Sequence, residues 1–543
     1  MALNFTRARI SVLLTLLAVF SWMISLIISK LDIGFLGIIH SYHFSYFVSL
    51  GLLTGASAIL WASDQRRLGP LQGTQMVLLI MFIWLTPVIL GNAPLWSDHI
   101  YYLWGQSKYI NLFGHLNPAD ASLWYHNWPG FFIYQSTFSQ IMNIEPLGVF
   151  AYLGTLIILL CNLLPLYVLF DTIMINKNYI WIGLWLFFIS YWMGDLYFSP
   201  QGVAFFIFLL TMAIISKLWQ KGHTSNPALA LIIIILIPTI TITHYLTAIA
   251  LAGIIGIWSF TKKRSDYLLG NYFVIFAVIL VLWAIYGSAA FFENNILNYL
   301  IRAFSFLELF NFKTLSETTT VTPPIQITST IQILILVIFF FLGFLGILKS
   351  RVHRWFFDNP MILGMIPVAL MFGLQLYSDT ARYRIFVFTF PFICYFGTKL
   401  VSGKFTNILL TACILLTIPL HIMAENGAAS AARINRDDTL FWNYFNTYVS
   451  KAYVIYDYMA WPLIYPNINN VELRNLLFFE GVLKLKNNDR PQYILINDRA
   501  RHIYRLYMDE PEYLLEMQNE LMASVQYATI YANPTVIILF KDS

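Results

Sequence analysis

Charge is what this sequence has least of. Only 11% of its 543 residues are Asp, Glu, Lys or Arg, against about a quarter in a soluble domain. With 59% apolar residues, 17% aromatics and a mean hydropathy of +0.68, a water-soluble globule is excluded and a polytopic membrane protein is implied. Cysteine is scarce too. Cys161, Cys394 and Cys413 all lie in apolar runs, which excludes a disulfide framework and reads as small buried hydrophobes. The net charge of +5 comes from basic residues scattered over short connections, so no nucleic-acid partner is implied. The first apolar run lacks a small-x-small cleavage site and is long enough to span, so it is expected to be a helix rather than a signal peptide.

What is present in quantity is long apolar runs. A helix crosses about 30 Å of hydrocarbon with about 20 residues. That rule predicts about thirteen transmembrane helices, near 10–29, 43–62, 74–91, 146–170, 179–197, 200–216, 227–242, 244–261, 269–288, 328–348, 361–377, 384–400 and 405–423. The pair flanking His244 could instead be one broken helix with a re-entrant half. Basic residues in the short loops set the orientation. With the N-terminus in the cytoplasm, Arg66, Arg67, Lys177, Lys217, Lys262, Lys263, Arg264, Lys349, Arg351 and Lys404 all fall inside. An odd number of spans then leaves 424–543 outside. That tail has short apolar runs at 453–456, 493–496, 527–531 and 536–540, an amphipathic stretch near 511–525 and an Asn533-Pro534 turn signal. It predicts a small extracytoplasmic α/β domain. The protein is therefore expected in the plasma (cell) membrane, with residues 1–423 as its transmembrane domain.

Chemistry-bearing residues gather on the predicted outer face. A loop from 91 to 145 is too long for a connector and opens on Trp96-Ser97-Asp98-His99. Its many Trp and Tyr residues fit an interfacial aromatic belt with amphipathic helices on the membrane. A belt does not explain Asp98, because ionisable groups at membrane depth are costly and usually functional. For His99, His115 and His126 structural roles are at least as well supported. Asp195-Leu196-Tyr197-Phe198-Ser199-Pro200-Gln201 sits between two spans almost without a loop, which pins Asp195 at the same interface. Ser199 and Pro200 read as the cap and first residue of the next helix. Arg382 and Arg384 open the twelfth span, suited to lipid headgroups or to a bound phosphate. His244 lies between two apolar runs, where a packing role is the commoner outcome. In the 289–327 loop, read as a mobile flap, Glu317 is the residue placed to enter a site on closure.

Two outer carboxylates, outer arginines, thirteen spans and a C-terminal outer domain together resemble the GT-C superfamily of lipid-linked glycosyltransferases. Oligosaccharyltransferase catalytic subunits, protein mannosyltransferases and aminoarabinose transferases belong to it. In that family a first outer loop carries an essential Asp, and a second acidic residue follows two helices later; Asp98 and Asp195 match that order. The sequence departs from the family in placing the loop after its third span rather than its first, so two extra N-terminal helices are inferred. It also has no Asp-x-Asp and no Trp-Trp-Asp-Tyr-Gly motif. The resemblance implies transfer of a sugar from a polyprenyl-phosphate-linked donor to a glycan, lipid or protein acceptor. Asp98 and Asp195 would be catalytic, and His99, Tyr197, Gln201, His244, Glu317, Arg382 and Arg384 would bind substrate. The metal ligands are not identified, and a divalent cation, magnesium or manganese, stays open. The competing classes are a transporter or flippase of lipid-linked saccharides, expected to show broken helices and inverted repeats, and a non-enzymatic partner in envelope-glycan assembly.

Overall fold

The computed structural model describes residues 2–31, 36–61, 68–91, 97–143, 150–174, 176–177, 179–191, 198–221, 227–261, 267–293, 323–350, 358–371, 386–401, 404–427, 452–456, 471–475, 492–497, 512–523, 527–532 and 536–541. Eight of the described helices are long and apolar enough to cross a membrane, and five shorter apolar helices accompany them. Each of the thirteen predicted segments coincides with one of these, so the polytopic helical class is the observed one.

In chain order the helices are α1 (Ala2–Ile28), α2 (Phe44–Trp61), α3 (Gly69–Gly91), α4 (Ser97–Phe113), α5 (Gly130–Met142), α6 (Thr155–Ile173), α7 (Tyr179–Ser190) and α8 (Pro200–Lys221). They continue as α9 (Pro227–Thr243), α10 (Tyr245–Thr261), α11 (Tyr267–Leu282), α12 (Pro323–Ser350), α13 (Asp358–Leu370), α14 (Phe390–Thr398), α15 (Lys404–Asn426) and α16 (Tyr513–Ala523). The helices flanking His244 are two, α9 and α10, separated by that single residue.

In lipid the hydrophobic effect does not drive helices together, so close packing and interhelical hydrogen bonds must. Both are visible. A Cβ on Gly253 would come within 2.7 Å of Pro367, and one on Gly256 within 2.8 Å of Phe273, so α10 lies close against α13 and α11. At the N-terminal end, Gln75 on α3 donates to Ser11 and Thr15 on α1, each at 2.9 Å, and accepts from Ser57 on α2 at 2.8 Å. One buried amide thus ties three helices together. The faces of α1 that carry Leu13, Leu16, Phe20 and Ile27 are turned outward, as lipid-facing surfaces must be.

The C-terminal part forms a five-stranded mixed sheet in the order β2-β1-β3-β5-β4. Its strands are β1 (Ala452–Tyr456), β2 (Val471–Asn475), β3 (Tyr493–Asn497), β4 (Tyr527–Ala532) and β5 (Val536–Lys541). β1 runs parallel to β2 and β3, whereas β5 is antiparallel to β3 and β4. Ile494, Leu495 and Ile496 of β3 are buried, as are Leu521 of α16 and Leu539 of β5. The amphipathic stretch and the hairpin form as expected. β2 was not foreseen.

Candidate functional site at one end of the helical bundle

The outer loop expected to carry amphipathic helices holds two, α4 and α5. Asp98 and His99 occupy the first turn of α4, where the unpaired N–H groups of a helix start make a positive end. Their side chains lie outside the described residues. So do all of Asp195, Tyr197, Glu317, Arg382 and Arg384. What the structure describes is the scaffold that carries Asp98 and the point, Phe198, at which the described chain resumes after Asp195.

That scaffold is a pair of packed helices. Ser107 on α4 donates to Gln135 on α5 at 2.6 Å, and Ser136 on α5 donates to Asn111 on α4. Leu103 of α4 joins Phe131 and Phe132 of α5 and Phe198 in one buried apolar cluster. The Phe131 and Phe198 rings stand 5.0 Å apart. Through this cluster the α4–α5 pair meets Phe198, which lies three residues beyond Asp195 in sequence. Gly154, at the start of α6, is the close approach that permits this: a Cβ there would lie 2.7 Å from that of Phe198.

Ser199 caps α8 as foreseen, its hydroxyl accepting from the Gly202 N–H at 3.0 Å, with Pro200 at the first helical position. Gln201, in the same turn, is buried, and its Oε1 has no hydrogen-bond partner. A polar atom so placed is ready to accept from whatever enters beside it.

The His244 break joins the same assembly. A Cβ on Gly130, at the start of α5, would stand 2.9 Å from Ile242 and Thr243 side-chain atoms. Trp128 packs on Tyr245 with 6.1 Å between rings. The His244 ring reaches Thr247 Oγ1 at 2.8 Å through Nδ1, a cap-like local contact at the start of α10.

Between α4 and α5 the chain is held by two internal residues. His126 is buried; its Nδ1 accepts from the Asn117 N–H at 3.0 Å and its Nε2 lies 3.1 Å from the Gln106 carbonyl. That fixes the neutral tautomer with the proton on Nε2. Burial depresses its pKa, outweighing the Gln106 bond and the charge of Asp120, which act the other way. Asn127 binds the Pro118 and Trp124 carbonyls through Nδ2, and its own carbonyl accepts from Trp283 Nε1 at 3.0 Å. The structural role is thus the observed one for His126. His115 contacts Tyr109 at the exposed surface.

Sequence reasoning missed one feature. The last span was taken to end at 423, leaving Glu425 to the tail. α15 runs on to Asn426, and His421 and Glu425 are fully buried, with Nε2 and Oε1 3.2 Å apart. Their i, i+4 spacing was the available signal. Among the described residues no group of three or more His, Cys, Asp and Glu side chains is placed to hold a metal.

No family model matches the chain, and comparison with curated protein sequences finds no match. Solved structures do match. The apo form of the Archaeoglobus fulgidus oligosaccharyltransferase superposes with a TM-score of 0.52 at 12% identity, covering 81% of this chain and 71% of that one. The chain has a GT-C-like fold. The same archaeal enzyme tethered to an acceptor peptide containing the NVT sequon gives a TM-score of 0.51 at 12% identity, covering 88% and 74% of the two chains. Its complex with Zn and sulfate gives 0.50 at 13%, covering 87% and 73%. The likeness to these oligosaccharyltransferase structures is one of fold, over most of both chains.

Proposed function

We propose that the chain is a membrane glycosyltransferase that moves a sugar from a polyprenyl-phosphate-linked donor to an acceptor at the membrane face where α3 ends and α4 begins. What supports this reading is the GT-C-like fold together with the apolar cluster in which Leu103, on the helix of Asp98, meets Phe198, three residues beyond Asp195 in sequence.

The residues suit the chemistry. A polyprenyl-phosphate is already a good leaving group, so the transferase has little need of a strong acid. Asp98 accepts the proton of the acceptor nucleophile, a step that contributes about 10²–10⁴-fold when a side chain is well positioned. The nucleophile bonds to the anomeric carbon as the bond from that carbon to the phosphate oxygen breaks, and the electron pair departs on the lipid phosphate. Arg382 and Arg384 hold the developing anion, bidentate geometry being what a guanidinium offers. Asp195 orients the sugar or acceptor or shares a divalent cation, magnesium or manganese, with Asp98. Gln201 supplies an acceptor for a sugar hydroxyl, and His99, Tyr197, His244 and Glu317 complete the walls. Apolar grooves between the helices take the lipid tail. The acceptor is a glycan, lipid or protein; the archaeal neighbour's tethered peptide makes a peptide one acceptor to try.

Purified protein in lipid vesicles, given a labelled polyprenyl-phosphate sugar and a mixed set of acceptors, tests the reading. Label appearing in acceptor supports it. Label that crosses the membrane while still attached to lipid would instead identify a flippase.

A further inference from the structure

We propose that the end of the α4–α5 pair remote from Asp98 is an aliphatic foot set into the neutral acyl region of the bilayer that the protein spans. Its partner is lipid, neither a second copy of the chain nor another protein. This inference does not rest on the transferase reading.

The first observation is which side of the pair is polar. Ser107 and Gln135 bond each other between the helices, and Asn111 accepts from Ser136 and, at 3.1 Å, from Gln140. Ser107, Gln135 and Ser136 are buried. The exposed residues of α5 include Ile133, Thr137 and Ile141, four apart and so on one stripe. A helix pair standing in water carries the opposite pattern, with apolar residues inward and charged ones outward. Here α5 has no charged residue at all, and none lies between Lys108 and Asp120. The Lys108 ammonium sits 4.6 Å over the Trp104 ring.

The second is where the two helices end. Residue 107 meets 135, and 111 meets 136 and 140. The numbers rise together, so the helices run parallel and finish side by side. Their last residues are Leu112 and Phe113 on α4, exposed by 51% and 48%, and Ile141 and Met142 on α5, exposed by 76% and 50%. Four large apolar side chains open at one helix-pair end make a patch that a purely aqueous surface seldom carries. At 1.5 Å per residue, this end lies roughly 22 Å along α4 from Asp98.

The third is what adjoins the foot. Only residues 143–149 stand between α5 and the segment that enters α6. Tyr152–Ile173 is long and apolar enough to cross a membrane. Its first half turns Tyr152, Leu153, Ile157 and Leu164 outward. Ile110 of α4, Phe138 of α5 and Ile158 of α6 all pack on the cluster around Phe131, so the foot and this lipid-facing helix belong to one packed body. Lipid that covers α6 is thus at hand to cover the foot.

The kind of lipid group follows from the side chains. Trp104 and Trp128, expected in an interfacial aromatic belt, are buried instead, while Leu, Ile and Met take the outermost places. A tryptophan suits the wet headgroup level through its N–H; aliphatic chains suit the acyl layer beneath. The titratable neighbour of the foot, His115, is engaged with Tyr109 and the Phe113 carbonyl. Nothing in the foot selects an anionic headgroup.

The test uses the unmodified full-length protein in phosphatidylcholine vesicles doped with a phospholipid whose acyl chain carries a photoactivatable diazirine. After illumination, adducts are located by mass spectrometry. The expected result is adducts on Leu112, Phe113, Ile141 or Met142 at yields within about threefold of those on Ile157 and Leu164, and no several-fold rise when phosphatidylglycerol replaces part of the phosphatidylcholine. The double variant Leu112→Glu, Ile141→Glu should lower the foot's adducts at least about tenfold while those on α6 persist. Adducts on α6 with none on the foot overturn the proposal, and a cross-linker that joins two chains through the foot would then name a second copy as its occupant. Adducts that form only with phosphatidylglycerol also overturn it, in favour of attraction to charged headgroups.

Discussion

Phe131 and Phe198 stand ring to ring at 5.0 Å, and through that contact two segments with α6 and α7 between them in the chain share one wall. Neither phenylalanine does chemistry. Phe131 belongs to the helix packed on that of Asp98, and Phe198 lies three residues beyond Asp195 in sequence. Phe198→Ala removes the wall and leaves a cavity, a change that costs about 3–5 kcal/mol in a well-packed core. The expected outcome is a lower thermal midpoint together with a fall in transfer rate larger than the fall in donor binding, since the two carboxylates lose their shared reference while the lipid grooves stay.

Gly154→Val probes the same wall from behind. A Cβ at 154 has only 2.7 Å to that of Phe198, and a branched side chain must push the Phe198 segment away from α6. Transfer is expected to drop as it does in Phe198→Ala. If Gly154→Val leaves both stability and transfer unchanged, the wall does not position the site.

Acid should loosen the α4–α5 assembly through His126. Its folded pKa lies below the ordinary histidine value because the ring is buried. A lowered histidine contributes stability that is fully present above the unfolded pKa of about 6.5 and is lost as pH falls through it toward the folded value. Tryptophan fluorescence from Trp124 and Trp128 should therefore change between about pH 6.5 and the folded pKa below it. His126→Gln should remove that pH dependence, because the loss in acid comes from a protonated ring that can no longer accept from the Asn117 N–H.

Gln75→Leu should loosen the three N-terminal helices. It deletes three interhelical hydrogen bonds, each worth about 0.6 kcal/mol in a membrane protein, for a total of roughly 2 kcal/mol. Ser11 retains its bond to the Ala56 carbonyl, and Thr15 its bond to the Ser11 carbonyl, but the buried Ser57 hydroxyl loses its acceptor on Gln75, which adds to the loss. Denaturation monitored on α1–α3 would show this, and an unchanged midpoint would mean that packing alone holds these helices.

How much of this was legible beforehand follows from what kind of signal each element leaves. The spans are legible because length and apolarity are local properties, and α1 through α15 were found by them apart from α4 and α5. Those two lie in the stretch read as an outer loop with amphipathic helices, and their bounds were not legible because Ser107, Asn111, Gln135 and Ser136 pair across the two helices and leave no clean apolar stripe in either stretch of sequence. The Ser199 cap was legible because capping is a three-residue affair. β2 was not: Val471-Glu472-Leu473-Arg474-Asn475 alternates with charge and acquires its identity only from β1 beside it. Glu425 was assigned to the tail because a carboxylate after an apolar run looks like the return to water. It is fully buried instead, one turn beyond His421, whose ring meets Trp84 from far away in the chain. Asp98, Asp195, Arg382 and Arg384 were proposed from topology and from the family resemblance; their side chains lie outside the described residues, and their convergence is a proposal.

The most direct measurement is sugar transfer from a labelled polyprenyl-phosphate donor in vesicles, run side by side for the unmodified protein, Asp98→Asn and Asp195→Asn, with donor binding measured on the same preparations. The account predicts that Asp98→Asn lowers turnover by about 10²–10⁴-fold with donor binding intact, and that Asp195→Asn lowers transfer as well. Full transfer by both variants would contradict it.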